Sequence, residues 1–178
     1  AGLALKASKE ALKTDAPYKW RNYLQGIWRR HQDQPEVAAL YQSKLLIAEH
    51  LLQTWVAAHP TPKLPVTFDN WYTQPGFCRY LDQTLDLAYV GTVADSDQVL
   101  LKRGSQRLDQ FAAQLKEEHL TALKHGKAPI FKLITIPYKG AKERYYSYCM
   151  THRIASFGRQ RLVINYRQAD LTDNPMFL

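Results

Sequence analysis

The chain has 178 residues, 46% of them hydrophobic and 12% aromatic, with a formal net charge of +8. This composition provides enough apolar residues for a packed core, so it excludes an intrinsically disordered chain. A strongly basic protein of this size favours polyanionic partners, nucleic acid first and acidic membrane surfaces second. Its two cysteines, Cys78 and Cys149, form no CxxC pattern and fit a reducing compartment. No apolar run approaches the roughly 20 residues of a membrane span.

Helices are predicted for the first third of the chain. A short helix is expected within residues 15–35, where apolar residues recur at intervals of three and four. Its apolar positions are Trp20, Tyr23, Leu24, Ile27 and Trp28. Pro35 is typical of a first helical turn, and the apolar spacing over residues 36–59 predicts a long amphipathic helix. The proline-rich stretch 60–65 ends that helix.

A βαβ unit is predicted next. The β-branched run before Asp69 predicts a short strand, and residues 89–93 predict a second one. Pro75 begins the helix between them. Its apolar face contains Phe77, Cys78, Leu81 and Leu85. Because two short apolar strands are joined through a helix, the sequence favours a parallel pair.

The second half of the chain changes to a β-rich pattern. Residues 94–106 are polar, and a helix is predicted over residues 106–124. Three β-like runs follow, joined by turns that contain Gly140 and Gly158, and they predict an antiparallel meander. These runs are residues 130–136, 143–152 and 160–166. The predicted class is therefore α/β, with an α/β part over residues 1–93 and a β-rich part over residues 94–178.

Asp69 is the leading candidate for a functional residue. It follows a buried strand directly, and α/β sheets usually place their chemistry at the carboxyl ends of strands. Two large aromatic residues, Trp71 and Tyr72, come shortly after it. Two interpretations of this pair stay open: the rings pack beneath the site, or they approach a bound ligand.

Three segments of the chain carry a resemblance to a known family. They are residues 43–48 (SKLLIA) leading into 66–72 (VTFDNWY), residues 88–92 (AYVGT), and residues 162–167 (LVINYR) with 170–175 (DLTDNP). Over residues 36–178 the chain resembles the DDE transposases of bacterial insertion sequences, the cut-and-paste type with an RNase H-like catalytic domain. The resemblance implies a partial RNase H-like core over residues 1–93. It implies a β-rich insertion with one helix and an antiparallel meander over residues 94–178.

The resemblance also implies a reaction, a cofactor and a partner. Such enzymes cleave and transfer DNA strands, and their acidic residues hold Mg²⁺ or Mn²⁺, which are hard, oxygen-preferring cations. Two such cations about 3.5–4 Å apart activate the attacking oxygen and stabilise the leaving one. By the resemblance, Asp69 is the second catalytic carboxylate and a metal ligand, and the partner is the double-stranded DNA of transposon ends. The implied location is the cytoplasm, in association with the nucleoid.

The chain departs from the family pattern at two of its three catalytic positions. A site of this type needs three carboxylates, and the sequence supplies Asp69 alone. The family's downstream helix with Tyr, Arg, Glu and Lys is not matched, since Arg167 is adjacent to Tyr166 and no Glu follows. Asp170 is expected to cap a turn. The resemblance therefore puts the first Asp before residue 1 and the Glu after residue 178, so that this chain by itself does not cleave DNA.

Eight basic residues are the candidates for DNA contacts, with a solvated surface as the alternative. Phosphate contacts from such residues depend on salt and not on sequence. The candidates are Lys102, Arg103, Arg107, Lys139, Lys142, Arg144, Arg159 and Arg161. The alternation of Tyr145, Tyr146 and Tyr148 predicts one packed and one exposed sheet face, with base stacking as the alternative. Residues 117–119 (EEH) are predicted to lie on a solvated helix face, and Asp95 and Asp97 to cap a loop rather than bind a metal.

Three hypotheses about function follow. The first is a central fragment of a DDE transposase. The second is a non-catalytic DNA-binding protein derived from such an element, and the third is a basic α/β domain that binds RNA or a protein. Because an incomplete sheet exposes unpaired edges, self-association into a homo-oligomer is also expected. No membrane partner is expected.

Overall fold

The computed structural model describes the backbone of residues 17–38 and 43–178. The chain divides into two compact units, Ala1–Ala58 and His59–Leu178. The predicted division after residue 93 falls inside the second unit and stays a prediction. The fold is mixed α/β with a mostly antiparallel sheet, so the predicted α/β class is confirmed.

The described part of the first unit is helical. Its helices are α1 (Pro17–His31), α2 (Pro35–Ala38) and α3 (Lys44–Ala58). The short predicted helix is thus confirmed, although the side chains of Trp20 and Leu24 lie outside the described residues. The long predicted helix 36–59 is confirmed over α3, which Ser43 caps by accepting a hydrogen bond at Oγ from the Leu46 N–H (3.1 Å). Residues 39–42 lie outside the described part.

Helix α3 is apolar on more than one face. Leu46, Ile47 and Leu51 are all exposed, and no residue of the helix is buried within the described structure. The prediction of an amphipathic helix was therefore wrong, since the apolar run at residues 45–48 spreads around the helix axis. Helices of this composition are usually enclosed by other elements.

The second unit begins with the predicted βαβ arrangement. Strand β1 (Val66–Phe68) pairs in parallel with β2 (Tyr89–Gly91), in the register Val66 to Tyr89. Between them lie α4 (Pro75–Arg79) and a π-helical turn (Tyr80–Thr84). The predicted apolar face of this segment is buried. The parallel pair and its connecting helix are confirmed.

Gly91 allows the Phe68 ring to lie against β2. A Cβ atom at Gly91 would stand 2.5 Å from Phe68 Cε2 and 2.8 Å from Thr73 Oγ1. The Phe68 ring also contacts the rings of Phe77 and Tyr89, with centroids 5.5 and 5.8 Å away. This aromatic cluster fixes β1 between its helix and its partner strand, and so fixes the position of the residue that follows β1.

A larger, six-stranded sheet completes the second unit among the described residues. Its strands are β3 (Gln98–Leu101), β4 (Gly104–Arg107), β5 (Lys132–Tyr138), β6 (Ala141–Ile154), β7 (Gly158–Tyr166) and β8 (Met176–Phe177). The order is β4-β3-β6-β7-β8, and β5 pairs with the first half of β6. The antiparallel pairs β5–β6 and β6–β7 confirm the predicted meander.

The hairpin β3–β4 was not predicted, because residues 94–106 read as a polar segment. Strand β4 (GSQR) has no apolar pattern and forms by pairing with β3, whose Val99 is fully buried. Helix α5 (Leu108–Lys124) follows directly and buries Leu108, Phe111 and Leu115 against the sheet. Burial of each such side chain is worth about 1.5–3 kcal/mol, so the packing of this helix on the sheet stabilises the unit.

His119 on α5 does not lie on a solvated face, so that prediction was wrong. Its side chain is buried, and Nδ1 accepts hydrogen bonds from the N–H groups of Ile130 (3.1 Å) and Phe131 (3.2 Å). The imidazole therefore satisfies two backbone donors in the segment that leads into β5. Burial lowers the pKa of His119, which keeps the ring neutral and its acceptor nitrogen available.

Candidate functional site

Asp69 directly follows β1, at the carboxyl end of the strand. There the Phe68 carbonyl accepts a hydrogen bond (3.4 Å) from the N–H of Thr92, the residue that follows β2. Its Oδ1 accepts a hydrogen bond from the Trp71 N–H (3.1 Å), and its carbonyl accepts bonds from the Tyr72 N–H and Thr73 Oγ1 (both 3.1 Å). The residue thus forms a tight turn of the kind that Asp commonly stabilises. The side chain is exposed, with its carboxylate available to solvent at the end of the parallel pair.

The two aromatic residues after Asp69 have different environments. Tyr72 is partly buried, and its ring centroid lies 6.2 Å from that of Phe77. Trp71 is 70% exposed beside the carboxylate. Of the two interpretations left open by the sequence, packing therefore fits Tyr72, and availability to a ligand fits Trp71.

A polar cleft of about 310 Å³ lies beside the same turn. Its walls include Asn70, Thr73, Thr92 and Asp97, while Asp69 is not among the lining residues. The Asp97 Oδ2 accepts a hydrogen bond from the Ala94 N–H (3.1 Å), as the loop-capping prediction requires. Asp170 likewise accepts a bond from the Thr172 N–H (3.2 Å) and caps a turn.

The described residues do not assemble a complete metal site. Within residues 17–38 and 43–178, no group of three or more His, Cys, Asp or Glu side chains is placed to hold a metal ion. Asp69 can supply one oxygen ligand to a hard cation such as Mg²⁺, which usually takes carboxylates together with water and substrate oxygens. The remaining metal ligands would have to come from outside the described residues.

Three of the basic candidates lie on one β-hairpin, which we call the arm and define as β5 together with residues 139–147. All seven residues of β5 are exposed, as are Lys139, Lys142 and Arg144. The turn has φ of 47° at Lys139 and 80° at Gly140, and this combination is typical of a two-residue hairpin. The Lys139 ammonium lies 5.1 Å from the centroid of the Tyr138 ring. The arm thus carries positive charge at its tip.

A second group of candidates lies at the other end of β6. Arg159 stands directly opposite Arg153, and Arg161 lies two residues further along the same face of β7. All three side chains are exposed, and we call them the arginine row. The sequence did not indicate Arg153 as a candidate, because its position opposite Arg159 depends on the register of β6 with β7. Arg144 and Arg153 are nine residues apart on one strand, or about 30 Å at the usual rise. The candidates therefore form separate groups.

The three basic candidates near the β3–β4 hairpin differ in whether their positive charge is available to bind DNA. Lys102 and Arg103 are exposed in the turn between the strands. Arg107 is engaged in a two-point ion pair, with Nε and a terminal nitrogen 3.1 and 2.7 Å from the two carboxylate oxygens of Asp109. The hydrogen bonds from Arg107 hold the pKa of Asp109 below its usual value. Much of the Arg107 charge is therefore neutralised locally.

The tyrosines of β6 alternate as predicted. Tyr148 is buried and Tyr146 packs against the core, whereas Tyr145 faces the opposite side of the strand. Tyr145 donates a hydrogen bond to Glu143, and the Arg167 guanidinium lies 5.9 Å from its ring centroid. Tyr148 is hydrogen-bonded to His152 Nε2 (2.7 Å) beneath α5, a contact that the sequence did not indicate.

Comparison with known proteins gave no match to any family model, curated protein or solved structure. Within the described residues, none of the helices combines the length and apolar character that a bilayer crossing requires.

Proposed function

We propose that this chain is part of a DNA transposase with an RNase H-like core, in which Asp69 is one of the metal-binding carboxylates. The observation that carries the proposal is the position of Asp69, directly after β1 of a parallel βαβ unit and beside the end of β2. Chemistry in α/β sheets is concentrated at such carboxyl ends. The exposed Trp71 beside it offers a flat surface for a nucleic-acid ligand.

Asp69 has a limited role in this proposal. The metal, when bound, supplies an activated oxygen nucleophile and stabilises the leaving group. Asp69 contributes a ligand oxygen, and its turn orients that oxygen because Oδ1 is already fixed by the Trp71 N–H. No catalytic step is assigned to this chain alone, since the described residues supply one carboxylate of the set.

The β5–β6 arm is the proposed DNA contact. A two-stranded β-ribbon is narrow enough to enter the major groove of B-DNA. The arm presents Lys139, Lys142 and Arg144 along such a ribbon, all of them exposed. Contacts of this kind position a protein on the phosphate backbone, and they weaken as salt rises.

A non-catalytic DNA-binding protein is the second candidate function. The exposed Lys139, Lys142 and Arg144 of the arm support it as well as they support the first candidate. Both candidates require DNA binding by the arm. They differ in whether an intact protein that contains this chain cleaves DNA through Asp69.

DNA binding is tested by titrating labelled duplex DNA with the 178-residue chain and following fluorescence anisotropy at several salt concentrations. The variant Lys139→Glu/Lys142→Glu should bind more weakly, and its log–log salt slope should fall by about 2, because roughly one counterion is released per phosphate contact. The control Lys124→Glu/Lys127→Glu makes the same charge change at two exposed positions outside the arm. Equal losses in both variants would contradict a role for the arm and would indicate attraction by net charge alone.

A further inference from the structure

The six-stranded sheet has one covered face and one open face. Helix α5 packs on the first, whose core side chains include Tyr148, Ile154 and Leu162. Side chains alternate between the two faces of a strand, so the odd-numbered residues of β6 and β7 point the other way. Most side chains on that side are exposed within the described structure, and we call it the open face.

The strand register shows which residues the open face presents, because cross-strand partners share a face. At one end, Leu100, Arg153 and Arg159 lie side by side on β3, β6 and β7. Further along, a second row of paired residues crosses β5, β6, β7 and β8. Its members are Lys132, Ser147, Asn165 and Met176. The open face therefore extends from the arginine row to β5 and β8.

The open face is strongly basic. It presents the arginine row and the exposed Lys132, and none of these cations forms an ion pair within the described residues. Arg107 also lies on this side, but Asp109 neutralises it. Among the described strand residues of the face, the carboxylate is that of Glu143, which accepts a hydrogen bond from Tyr145. The positive charge is therefore available to an anionic ligand, whereas a second copy of the face would be repelled.

Two arginines of the row lie directly opposite each other. Arg153 pairs with Arg159 across β6 and β7, and like charges in this position destabilise a sheet. An anion held between the two guanidinium groups removes that repulsion. Guanidinium groups bind phosphate through two parallel hydrogen bonds, which makes arginine the usual residue for phosphate recognition. The arrangement therefore favours a ligand that carries phosphate groups.

Apolar side chains lie among the cations of the open face. Leu100, Ile134 and Met176 are 38%, 37% and 42% exposed. Duplex DNA keeps its bases stacked inside and would leave these side chains in water. A single strand instead presents base faces that stack on aromatic and guanidinium groups and cover apolar ones. The combination of cations and apolar side chains therefore favours a single strand over a duplex.

We propose that the open face binds single-stranded nucleic acid, at a site that is separate from the arm and does not depend on Asp69. The arginine row holds phosphates, and the bound strand runs along β6 toward Tyr145, whose ring lies 5.9 Å from the Arg167 guanidinium. Arg153 and Tyr145 are eight residues apart on β6, or about 26 Å, which is room for several nucleotides.

The free thiol of Cys149 offers a direct test. Cys149 is exposed on the open face opposite Val163, whereas Cys78 is buried. The 178-residue chain is treated with N-ethylmaleimide alone, with an oligothymidylate of about 15 nucleotides, or with a duplex of the same length. Modification of Cys149, followed by mass spectrometry, should slow by at least about threefold with the oligothymidylate and stay unchanged with the duplex. Equal protection by both nucleic acids, or no protection by the oligothymidylate, would overturn the proposal.

A pair of matched variants separates the open face from the arm. Arg153→Gln/Arg159→Gln and Lys139→Gln/Lys142→Gln make the same charge change, and the first also removes the like-charge pair, so it does not endanger folding. Affinity for the oligothymidylate, measured by fluorescence anisotropy, should fall by about tenfold in the first variant and little in the second. Its log–log salt slope should fall by about 1.4 in the first variant, at roughly 0.7 counterions per phosphate contact.

The duplex should show the opposite order, since the arm is its proposed contact. Equal losses of oligothymidylate affinity in both variants would indicate attraction by net charge and overturn the proposal. So would a loss of duplex affinity in Arg153→Gln/Arg159→Gln as large as its loss of oligothymidylate affinity. These results concern the open face alone, so its failure leaves duplex binding by the arm to be judged on its own variant.

An acidic membrane surface is the other class of partner for cations beside apolar side chains. Cosedimentation with vesicles of phosphatidylcholine and phosphatidylserine tests it. Vesicle binding that Arg153→Gln/Arg159→Gln abolishes, without binding of the oligothymidylate, would assign the open face to membranes and overturn the proposal. Binding of the oligothymidylate without vesicle binding supports it.

Discussion

Replacement of His119 by Leu removes the acceptor for two backbone donors. In the native unit, Nδ1 accepts from the Ile130 and Phe131 N–H groups at 3.1 and 3.2 Å. Each buried donor left unsatisfied costs about 1–3 kcal/mol, so the loss of the acceptor for both should lower the free energy of unfolding by about 2–6 kcal/mol. For a unit of this size, that corresponds to a Tm lower by on the order of 10 °C.

The matched variant is His119→Asn, because Asn Oδ1 takes nearly the position of His Nδ1 and also accepts hydrogen bonds. Thermal unfolding followed by circular dichroism should give a markedly higher Tm for the Asn variant than for the Leu variant. The reasoning is refuted if His119→Leu unfolds at the native temperature. It is also refuted if the two variants are equally destabilised, since packing of the ring would then outweigh the hydrogen bonds.

The same histidine should make stability depend on pH. Burial lowers its pKa in the folded state, so the unfolded chain binds the proton more tightly, with an ordinary pKa of about 6.5. The contribution to stability is therefore fully present above about pH 6.5 and is lost as the pH falls toward the folded pKa. His119→Asn should weaken this dependence. It should not abolish it, since burial also lowers the pKa of His152.

Three more predictions follow from the structure. Gly91→Ala should destabilise the second unit by about 1–3 kcal/mol in urea unfolding, because the added Cβ would meet Phe68 and Thr73. The control is Gly76→Ala, whose added Cβ has no atom within 4 Å. Equal urea midpoints for the two variants would contradict the close approach at Gly91. Gly140→Val should cost about 1–2 kcal/mol, because φ is 80° there, whereas Ala141→Val should be tolerated. If a longer protein that contains this chain cleaves DNA as proposed, Asp69→Asn should abolish the cleavage with little change in the DNA affinity measured by gel shift. Retained cleavage would exclude the proposed metal role.

The position of each basic residue affects how mutational data on DNA binding should be interpreted. Arg107 is paired with Asp109, so its substitution changes the surface charge less than that of Lys139 or Lys142. The arginine row and the arm lie at opposite ends of a strand of 14 residues. Simultaneous contact with both would require a DNA segment that spans that length, or a bend in the duplex.

The sequence alone determined the elements whose pattern is local. The parallel βαβ unit, the meander, the helix after residue 106 and the position of Asp69 at a strand end all follow from apolar periodicity and from Pro and Gly signals. These features depend on neighbours a few residues apart, and such neighbours are visible in the sequence.

Only the tertiary structure decided the features that depend on distant partners. Strand β4 exists because β3 pairs with it, and His119 is buried because residues 130 and 131 donate to it from beyond the helix. Arg153 joins Arg159 through the register of β6 with β7. Gly91 and Leu162 line the same apolar cavity, although they are 71 residues apart in the chain. Pairing across such distances is set by the folded backbone, and no local periodicity encodes it.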